Sequence, residues 1–380
     1  MIFQALPPLS LYIHVPWCIK KCPYCDFNSH ELKANLDEDI FIKALLKDFE
    51  YQLPRVWGRP IRSIFIGGGT PSLLSAKAID QLISGIRSLS VVLPDSEITL
   101  EANPGTFEVD KFKGFKEAGV NRLSLGIQSL HDHLLQRIGR VHDRDQAIRA
   151  IYEARHIFTN LNCDLMYGLP GQTIDESLAD LQQVLDFGPD HLSFYHLTIE
   201  PNTLFYKFPP TLPDQEAVHL IEREIYRILE SNNYIHYEVS AYAKDNRQSK
   251  HNLNYWTFGD YIGIGPGAHG KISFPDQIIR TAKIKHPNHY LASIDSVSEI
   301  EEITLISDDN IPFEFMMNAL RLNQGFSLSL FSERTGMSLE TIKPILDRAV
   351  EKKLINYDDQ SLYPTELGQL FLNDLIGLFL

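Results

Sequence analysis

Three of the four cysteines lie within eight residues of one another and are the clearest candidates for chemistry. Cys18, Cys22 and Cys25 are spaced C-x3-C-x2-C. Thiolates are soft ligands, and three on one loop can hold three irons of a [4Fe–4S] cluster, which leaves the fourth iron open to an exogenous ligand. The alternative is a structural zinc site with His14 or His30 as the fourth ligand, although such sites usually use two cysteine pairs.

Six apolar stretches between residues 11 and 201 predict the strands that would position this loop: LYIHV, IRSIFI, EITLEANP, NRLSLGIQ, LNCDLMYGLP and DHLSFYHLTIEP. Segments with apolar residues at helical spacing alternate with them. Because such alternation is typical of parallel strands joined by right-handed crossovers, we expect an α/β fold built as a partial (β/α)6 barrel.

Polar groups follow successive strands of this predicted barrel. The cysteine loop comes after the first strand and Gly67–Pro71 after the second, Glu101 and Gln128 close the third and fourth, and Asp164 lies within the fifth. The carboxyl ends of parallel barrel strands converge on one mouth. The sequence therefore predicts one shared pocket at that mouth.

The cysteine spacing, with an aromatic residue at Tyr24, and the segment GGGTP at Gly67–Pro71 together resemble the radical S-adenosylmethionine (radical SAM) superfamily. The resemblance implies a [4Fe–4S] cluster on the three cysteines, with its open iron bound by the amine and carboxylate of S-adenosylmethionine (SAM). Without a Cβ atom at Gly68 and Gly69, the backbone could approach the methionine end of SAM closely.

Further motifs resemble the oxygen-independent coproporphyrinogen III oxidases and the HemW-type haem chaperones: YIHVPWC, FIGGGTPS, EANP, SLGIQS and DLMYGLPGQT. This resemblance covers nearly the whole chain. It implies a SAM site formed by Tyr12, Tyr24, Gly68, Gly69, Thr70, Glu101, Gln128, Arg140 and Asp164. Glu101 would accept hydrogen bonds from the ribose hydroxyls, and Arg140 would pair with the SAM carboxylate. Taken singly, Glu101 could equally cap a helix and Arg140 could be a surface cation.

Two departures distinguish the chain from the oxidases. Those enzymes resemble C-x3-C-x2-C-x-C, whereas Phe27 stands at the fourth cysteine position, and only Met1–Ser10 precede the first strand where the oxidases carry a long extension. Both argue against coproporphyrinogen dehydrogenase activity, so whether the chain is an enzyme is left open by the sequence. The alternative function is still oxidative decarboxylation of coproporphyrinogen propionates to vinyl groups by a 5′-deoxyadenosyl radical.

The segment HNLNYW at His251–Trp256 resembles the H-N-x-x-Y-W motif of the haem chaperones. The resemblance implies haem as a ligand, with His251 on the iron, Tyr255 and Trp256 against the macrocycle, and Lys250 and Arg247 near the propionates. The alternative is a hydrogen-bonded, partly buried histidine. We therefore expect a haem-binding chaperone that delivers haem to acceptor proteins such as respiratory enzymes.

The rest of the 380-residue chain predicts two further regions after a barrel at residues 1–240. Residues 241–310 contain the haem motif and a connecting arm. Residues 311–380 contain three helical patterns followed by NYDDQSLYPT, a predicted hairpin, and an apolar helix. This order predicts a small winged-helix-like domain, which in other proteins can bind DNA.

Charge and composition restrict the partners. With 35 Lys and Arg against 49 Asp and Glu, the net charge of −14 argues against nucleic-acid binding, including the alternative of a transcriptional regulator. Neither a membrane span nor a signal peptide is recognisable, so we expect a cytoplasmic protein that reaches membranes only through a protein partner. A homodimer is compatible with the sequence.

Overall fold

The computed structural model describes residues 2–33, 36–106 and 109–380. The strands in these ranges are β1 (Leu9–Val15), β2 (Trp17–Cys18), β3 (His30–Glu31), β4 (Ile61–Gly68), β5 (Val92–Ala102), β6 (Arg122–Gln128), β7 (Leu161–Tyr167), β8 (His191–His196), β9 (Ile235–Glu238), β10 (Ala241–Ala243), β11 (Asp260–Ile264), β12 (His269–Ser273), β13 (Ile278–Lys283), β14 (Glu301–Leu305), β15 (Phe326–Ser327), β16 (Ile355–Tyr357) and β17 (Ser361–Pro364).

The α-helices in the same ranges are α1 (Glu38–Val56), α2 (Ala76–Leu89), α3 (Val109–Glu117), α4 (Asp132–Arg137), α5 (Arg144–Ile157), α6 (Ile174–Asp186), α7 (Leu204–Lys207), α8 (Gln215–Ser231), α9 (Lys250–Trp256), α10 (Pro287–Ala292), α11 (Val297–Ile300), α12 (Ile311–Ala319), α13 (Ser329–Thr335), α14 (Lys343–Glu351), α15 (Glu366–Leu370) and α16 (Leu372–Gly377). Short 3-10 turns cover Pro71–Leu73, Pro104–Thr106, Asp308–Asn310 and Leu339–Thr341. None of the helices in the described ranges combines the length and the apolar character needed to cross a lipid bilayer.

Polar side chains start the helices that cross over between parallel strands. Asp143 and Gln146 form a reciprocal capping box at the start of α5, and Thr173 and Glu176 form another at the start of α6. These side chains bond backbone N–H groups that the first helical turn leaves without partners. Each crossover helix therefore begins at a position that its own sequence specifies.

The main sheet has twelve strands in the order β14-β13-β12-β11-β1-β4-β5-β6-β7-β8-β10-β9. Strands β1, β4, β5, β6, β7 and β8 pair in parallel, each with the next in that order. These are the six strands that the sequence predicts, and the α/β barrel architecture is confirmed.

The sheet extends further than the sequence predicts. Strand β11 pairs in parallel with the outer edge of β1, and β12, β13 and β14 continue the sheet in antiparallel fashion. The segment from about His286 to Asn310, predicted to be a connecting arm, contains α10, α11 and the edge strand β14. These strands are short and mix polar with apolar residues, which is why their pattern is weak in the sequence.

Polar and apolar residues alternate along the barrel strands, so the strands present polar side chains to the interior and apolar side chains to the helices outside. In β6, Leu123, Leu125 and Ile127 are fully buried in the main hydrophobic cluster beneath the helices. The alternate residues Arg122 and Ser124 face the interior of the barrel, where they line a cavity. Because side chains of a strand point to opposite faces in turn, one strand supplies both the core and the site.

The C-terminal part forms a second hydrophobic cluster centred on buried aromatic residues. Phe315, Phe326 and Phe331 pack with edge-to-face rings whose centroids lie 5.2 to 5.4 Å apart. A three-stranded sheet, β15-β17-β16, flanks the helices α12 to α14. Three helices with a small hairpin sheet agree with the predicted winged-helix-like arrangement.

We predict that a buried ion cluster fastens the sheet extension to α1. Asp48 on α1 accepts hydrogen bonds from Lys283 Nζ, the Tyr290 hydroxyl (2.7 Å) and the Gly265 amide (3.1 Å), and both Asp48 and Lys283 side chains are fully buried. Lys283 Nζ also lies 2.9 Å from the buried Glu301 carboxylate, which pairs with Arg55 as well. Asp48→Asn would leave these two cations to share one carboxylate, so we expect the free energy of unfolding to fall by about 3–5 kcal/mol in denaturant titrations.

The matched control is Asp295→Asn, because Asp295 pairs with Lys47 at the surface, where its side chain is 84% exposed. Exposed pairs contribute about 0–1 kcal/mol. Equal losses in the two variants would contradict the proposed role of the buried cluster.

Candidate functional site

A cavity of about 420 Å3 opens at the carboxyl ends of the parallel strands. Of the residues that the sequence predicts for the cluster and SAM, those that line this cavity are Cys18, Cys22, Tyr24, Cys25, Gly68, Gly69, Thr70, Glu101, Gln128, Arg140 and Asp164. They come from several βα units that are distant in sequence. The convergence of strand ends at one mouth brings them together.

The cysteine loop is held in place by short strands and a tight turn. Cys18 ends β2, which pairs in parallel with β3, and the Cys25 amide donates to the Cys22 carbonyl over 3.2 Å. Burial raises the pKa of the Cys18 and Cys25 thiols above its ordinary value. A thiolate-binding iron centre would offset this effect, because metal coordination favours the deprotonated sulfur.

His14 is not free to act as the fourth ligand of a zinc ion. Its Nε2 donates to the Asn28 carbonyl (2.9 Å), and its Nδ1 is hydrogen-bonded to the Tyr12 hydroxyl (2.9 Å). Both ring nitrogens are therefore occupied. Tyr12, which the family resemblance places at the cluster and SAM, lies behind the cavity wall, with its ring stacked on Phe65 at 6.3 Å.

A second glycine-rich segment, GIGPGAHG at Gly263–Gly270, lies outside the barrel and braces the cysteine loop. Asn28 Nδ2 donates to the carbonyls of Pro266 and Lys285, each over 2.9 Å. A Cβ atom on Gly267, whose φ is +80°, would lie only 2.3 Å from Asn28 Nδ2. A glycine at this position is thus required by a close approach between two loops.

The glycines after β4 are explained by packing within the protein itself. A Cβ atom on Gly68, where φ is +111°, would lie 2.5 Å from the His14 ring, and one on Gly69 would lie 2.4 Å from the Trp17 carbonyl oxygen. The Gly69 amide donates to the Val15 carbonyl over 2.7 Å. Close contact with β1 and β2 therefore requires these glycines independently of any ligand.

Two carboxylates line the cavity, Glu101 from β5 and Asp164 from β7. Glu101 accepts a hydrogen bond from the Gly68 amide (3.0 Å), while Asp164 accepts from Asn162 Nδ2 (2.8 Å) and the Ser124 hydroxyl (3.2 Å). Burial, and then repulsion from Asp164, raises the pKa of Glu101 to about 7. The ionisation of Glu101 is therefore sensitive to pH near neutrality.

Two polar atoms beside the cysteine loop are buried without hydrogen-bond partners in the described chain: Gln128 Oε1 and Arg140 Nε. Arg140 also approaches Cys22 Sγ (3.8 Å) and donates to the Gly126 carbonyl (2.7 Å). Buried polar groups normally find partners, so these atoms mark places for a ligand. Three thiols, two carboxylates, one unpartnered acceptor and one unpartnered donor around one cavity fit a [4Fe–4S] cluster with SAM.

His251 lies on α9 in the interior of the barrel and is only 1% exposed. Its Nδ1 is hydrogen-bonded to the Ser63 hydroxyl (3.0 Å) and its Nε2 to the Tyr255 hydroxyl (2.8 Å). Burial, and then the positive charge of Arg122, lowers the pKa of His251 to about 3. The imidazole is therefore neutral, as an iron ligand must be, but this conformation offers neither nitrogen to a haem.

The predicted neighbours of haem around His251 are also engaged within the protein. Trp256 packs under the Arg321 guanidinium, whose central carbon lies 4.3 Å from the ring centroid. Lys250 Nζ donates to the Asp95 carbonyl over 3.2 Å, and Arg247 lies 3.8 Å from Asp190. In this conformation these groups contact the protein itself, and their place around a macrocycle stays a prediction.

Several residues of the cavity wall escape prediction by motif. Arg122, Ser124, Asn162 and Ser193 line its deeper part, and Asn252 of α9 reaches the same space. The available signal for Arg122 and Ser124 is their alternation with the apolar Leu123 and Leu125 along β6. Asn252 belongs to the HNLNYW motif, but the motif does not place it at this cavity, because its position depends on how α9 packs.

Comparisons with known proteins agree with this architecture. The profile of the Radical SAM superfamily matches residues 12–184, and that of the HemN C-terminal domain matches residues 306–371. Among solved structures, the coproporphyrinogen III oxidase HemN from Escherichia coli, a radical SAM enzyme, is similar with a TM-score of 0.83 over 98% of this chain and 90% of that one. At 23% sequence identity this likeness shows the shared fold.

Full-length relatives are much closer in sequence. The heme chaperone HemW of Escherichia coli (strain K12) is 47% identical over 99% of both chains, and that of Haemophilus influenzae is 47% identical over 99% of this chain and 98% of its own. The heme chaperone HemW of Bacillus subtilis (strain 168) is 37% identical over 98% of this chain and 99% of its own. Radical SAM proteins bind a [4Fe–4S] cluster and SAM, and within that superfamily this chain belongs to the HemW family.

Proposed function

We propose that the protein binds haem and delivers it to acceptor proteins such as respiratory enzymes, on a barrel that also binds a [4Fe–4S] cluster and SAM. The observation that carries this proposal is full-length identity of up to 47% with proteins named heme chaperones. The polar cavity and its three thiols support the cofactor part of it. We further propose that the protein acts in the cytoplasm.

The residues of the cavity have separate roles in this proposal. Cys18, Cys22 and Cys25 would hold the cluster, which supplies a one-electron centre with an open coordination site for SAM. Arg140 would orient the SAM carboxylate through its planar guanidinium, and Glu101 would accept hydrogen bonds from the ribose hydroxyls. The apolar layer outside the strands keeps these polar groups in fixed positions.

We predict that binding of the cluster requires Cys18, Cys22 and Cys25 and does not require Cys163. After anaerobic reconstitution, Cys22→Ala should lose most of the iron and acid-labile sulfide that the unchanged protein binds, because one of three ligands is missing. Cys163→Ala is the control, since Cys163 is fully buried on the apolar face of β7. Zinc without sulfide in the unchanged protein would refute the cluster assignment.

We predict that ribose binding at Glu101 depends on pH. The probe is 5′-methylthioadenosine, which has the ribose diol but lacks the α-amino and carboxylate groups of the methionine part of SAM. Because the Glu101 pKa is raised to about 7, the carboxylate ionises as pH rises through neutrality and becomes the better acceptor. Affinity measured by calorimetry should increase by up to roughly tenfold from about pH 6 to about pH 8.

Glu101→Gln cannot ionise, so its affinity should be weaker at high pH and constant over the same range. The variant keeps Asp164, which controls for the second carboxylate of the cavity. An identical pH profile in both proteins would rule out Glu101 as the titrating group.

We propose that His251 ligates haem only after its hydrogen bond to Tyr255 breaks. A ligand that binds a minor conformation shows an affinity reduced by the population of that conformation. Tyr255→Phe removes the hydroxyl that competes with haem for His251. The lost hydrogen bond contributes about 0.5–1.5 kcal/mol, so haem binding should strengthen by roughly 2- to 10-fold in spectroscopic titrations. His251→Ala should lose the absorption bands of histidine-ligated haem.

Tyr237→Phe is the matched control, because the Tyr237 hydroxyl makes a similar 2.8 Å hydrogen bond to His191 Nε2 elsewhere in the interior. It should leave haem affinity unchanged. Unchanged spectra and affinity in His251→Ala would exclude His251 as the ligand without excluding haem binding.

Delivery is tested by mixing the haem-loaded protein with an apo-acceptor and following the acceptor's absorption. We expect transfer that is faster than the release of haem to a scavenger. Formation of vinyl product from coproporphyrinogen III by the reconstituted protein would instead contradict a purely delivering role.

A further inference from the structure

Arg122 is a buried cation without a partner. It begins β6, its side chain is among the largest fully buried ones, and the residue is 2% exposed. Within the described ranges, no hydrogen bond or ion pair satisfies its guanidinium, and its Nε is buried without any partner. Burying a charge is unfavourable unless an opposite charge or hydrogen bonds compensate for it, so this arrangement calls for a compensating group.

The acidic groups nearby do not supply direct contacts. Glu101 is bonded to the Gly68 amide, and Asp164 is bonded to Asn162 and Ser124. Burial raises the pKa of both carboxylates, and the charge of Arg122 opposes part of that rise, as expected for attraction at longer range. Arg122 itself lines the cavity, together with the neighbouring polar residue Asn252. Arg122 therefore borders the space that a ligand would enter.

Arg122 lies at the opposite end of the cavity from Arg140. Arg140 donates to the carbonyl of Gly126 and approaches Cys22 at the mouth. Arg122 and Gly126 are four residues apart on one strand, which corresponds to about 13 Å along β6. Arg140 already donates to the Gly126 carbonyl, whereas Arg122 has no partner within the described ranges. Arg122 therefore remains available for a second ligand group.

We propose that Arg122 forms a carboxylate-binding subsite at the floor of the cavity. A planar guanidinium binds carboxylates in a bidentate manner, and Arg122 lines the same cavity as the residues predicted to bind the cluster and SAM. The inference rests on the proposed function, under which two ligands carry carboxylates: haem, through its propionates, and SAM. Because Arg140 is assigned to the SAM carboxylate, Arg122 is assigned to a haem propionate.

The test compares haem with haem dimethyl ester, in which both propionates are esterified, and measures SAM affinity in parallel. The variants are Arg122→Met and Arg122→Lys, and Arg223→Met on the exposed face of α8 is the matched control. We expect the unchanged protein to prefer haem over the ester. Arg122→Met should lower haem affinity by roughly tenfold, leave ester affinity and SAM affinity intact, and so remove the preference.

Arg122→Lys keeps the buried charge. It therefore still tests the proposal if Arg122→Met does not fold. It should retain only part of the preference, because an ammonium lacks the planar fork. A roughly tenfold loss of SAM affinity, with the haem-to-ester ratio unchanged, would identify the carboxylate as that of SAM.

Unchanged haem preference and unchanged SAM affinity in both variants would overturn the proposal and leave Arg122 as a counter-charge for the buried acids. If the unchanged protein binds neither haem nor its ester, the proposed function fails, and the SAM measurement alone then decides the role of Arg122.

Discussion

The structure depends on a polar cavity that is enclosed by an apolar shell. Glu101, Asp164, Arg122 and Arg140 all lie in a low-dielectric interior, where a charge is costly unless fixed dipoles or opposite charges compensate for it. Each strand supplies both sides of this arrangement, since its apolar residues pack under the helices while its polar residues face inward. The shell prevents the polar groups from relaxing away from one another, which prepares the cavity for charged ligands.

The cysteine loop relies on elements that lie outside the barrel proper. Asn28 hydrogen-bonds to backbone carbonyls of the segment between β11 and α10. That segment is tied to α1 by the buried contacts of Asp48 with Lys283 and Gly265. The strands added beyond β1 therefore act as a brace for the mouth of the cavity. They hold the cysteine loop, whose own secondary structure is limited to the two-residue strands β2 and β3.

Helix α9 connects the barrel interior to the C-terminal unit. His251 and Asn252 face the interior, whereas Trp256 packs against the second hydrophobic cluster and the Arg321 guanidinium. A movement of this seven-residue helix would change the hydrogen bonds of His251 and the packing of the C-terminal unit together. The geometry thus provides a physical link between the ligand cavity and the part of the molecule that lies beyond the barrel.

The sequence by itself determined the local and periodic features: the six parallel strands, the capped crossover helices, the cysteine spacing and the polar groups at successive strand ends. These features are readable because they depend on residue type and on periods of two or 3.6 residues. Only the tertiary structure decided that β11 to β14 extend the sheet, that Tyr12 lies behind the cavity wall and that both nitrogens of His251 are engaged. It also decided that Arg122 has no partner among the residues that the structure describes. Contacts between distant side chains follow from how strands and helices pack, and no local sequence pattern encodes them.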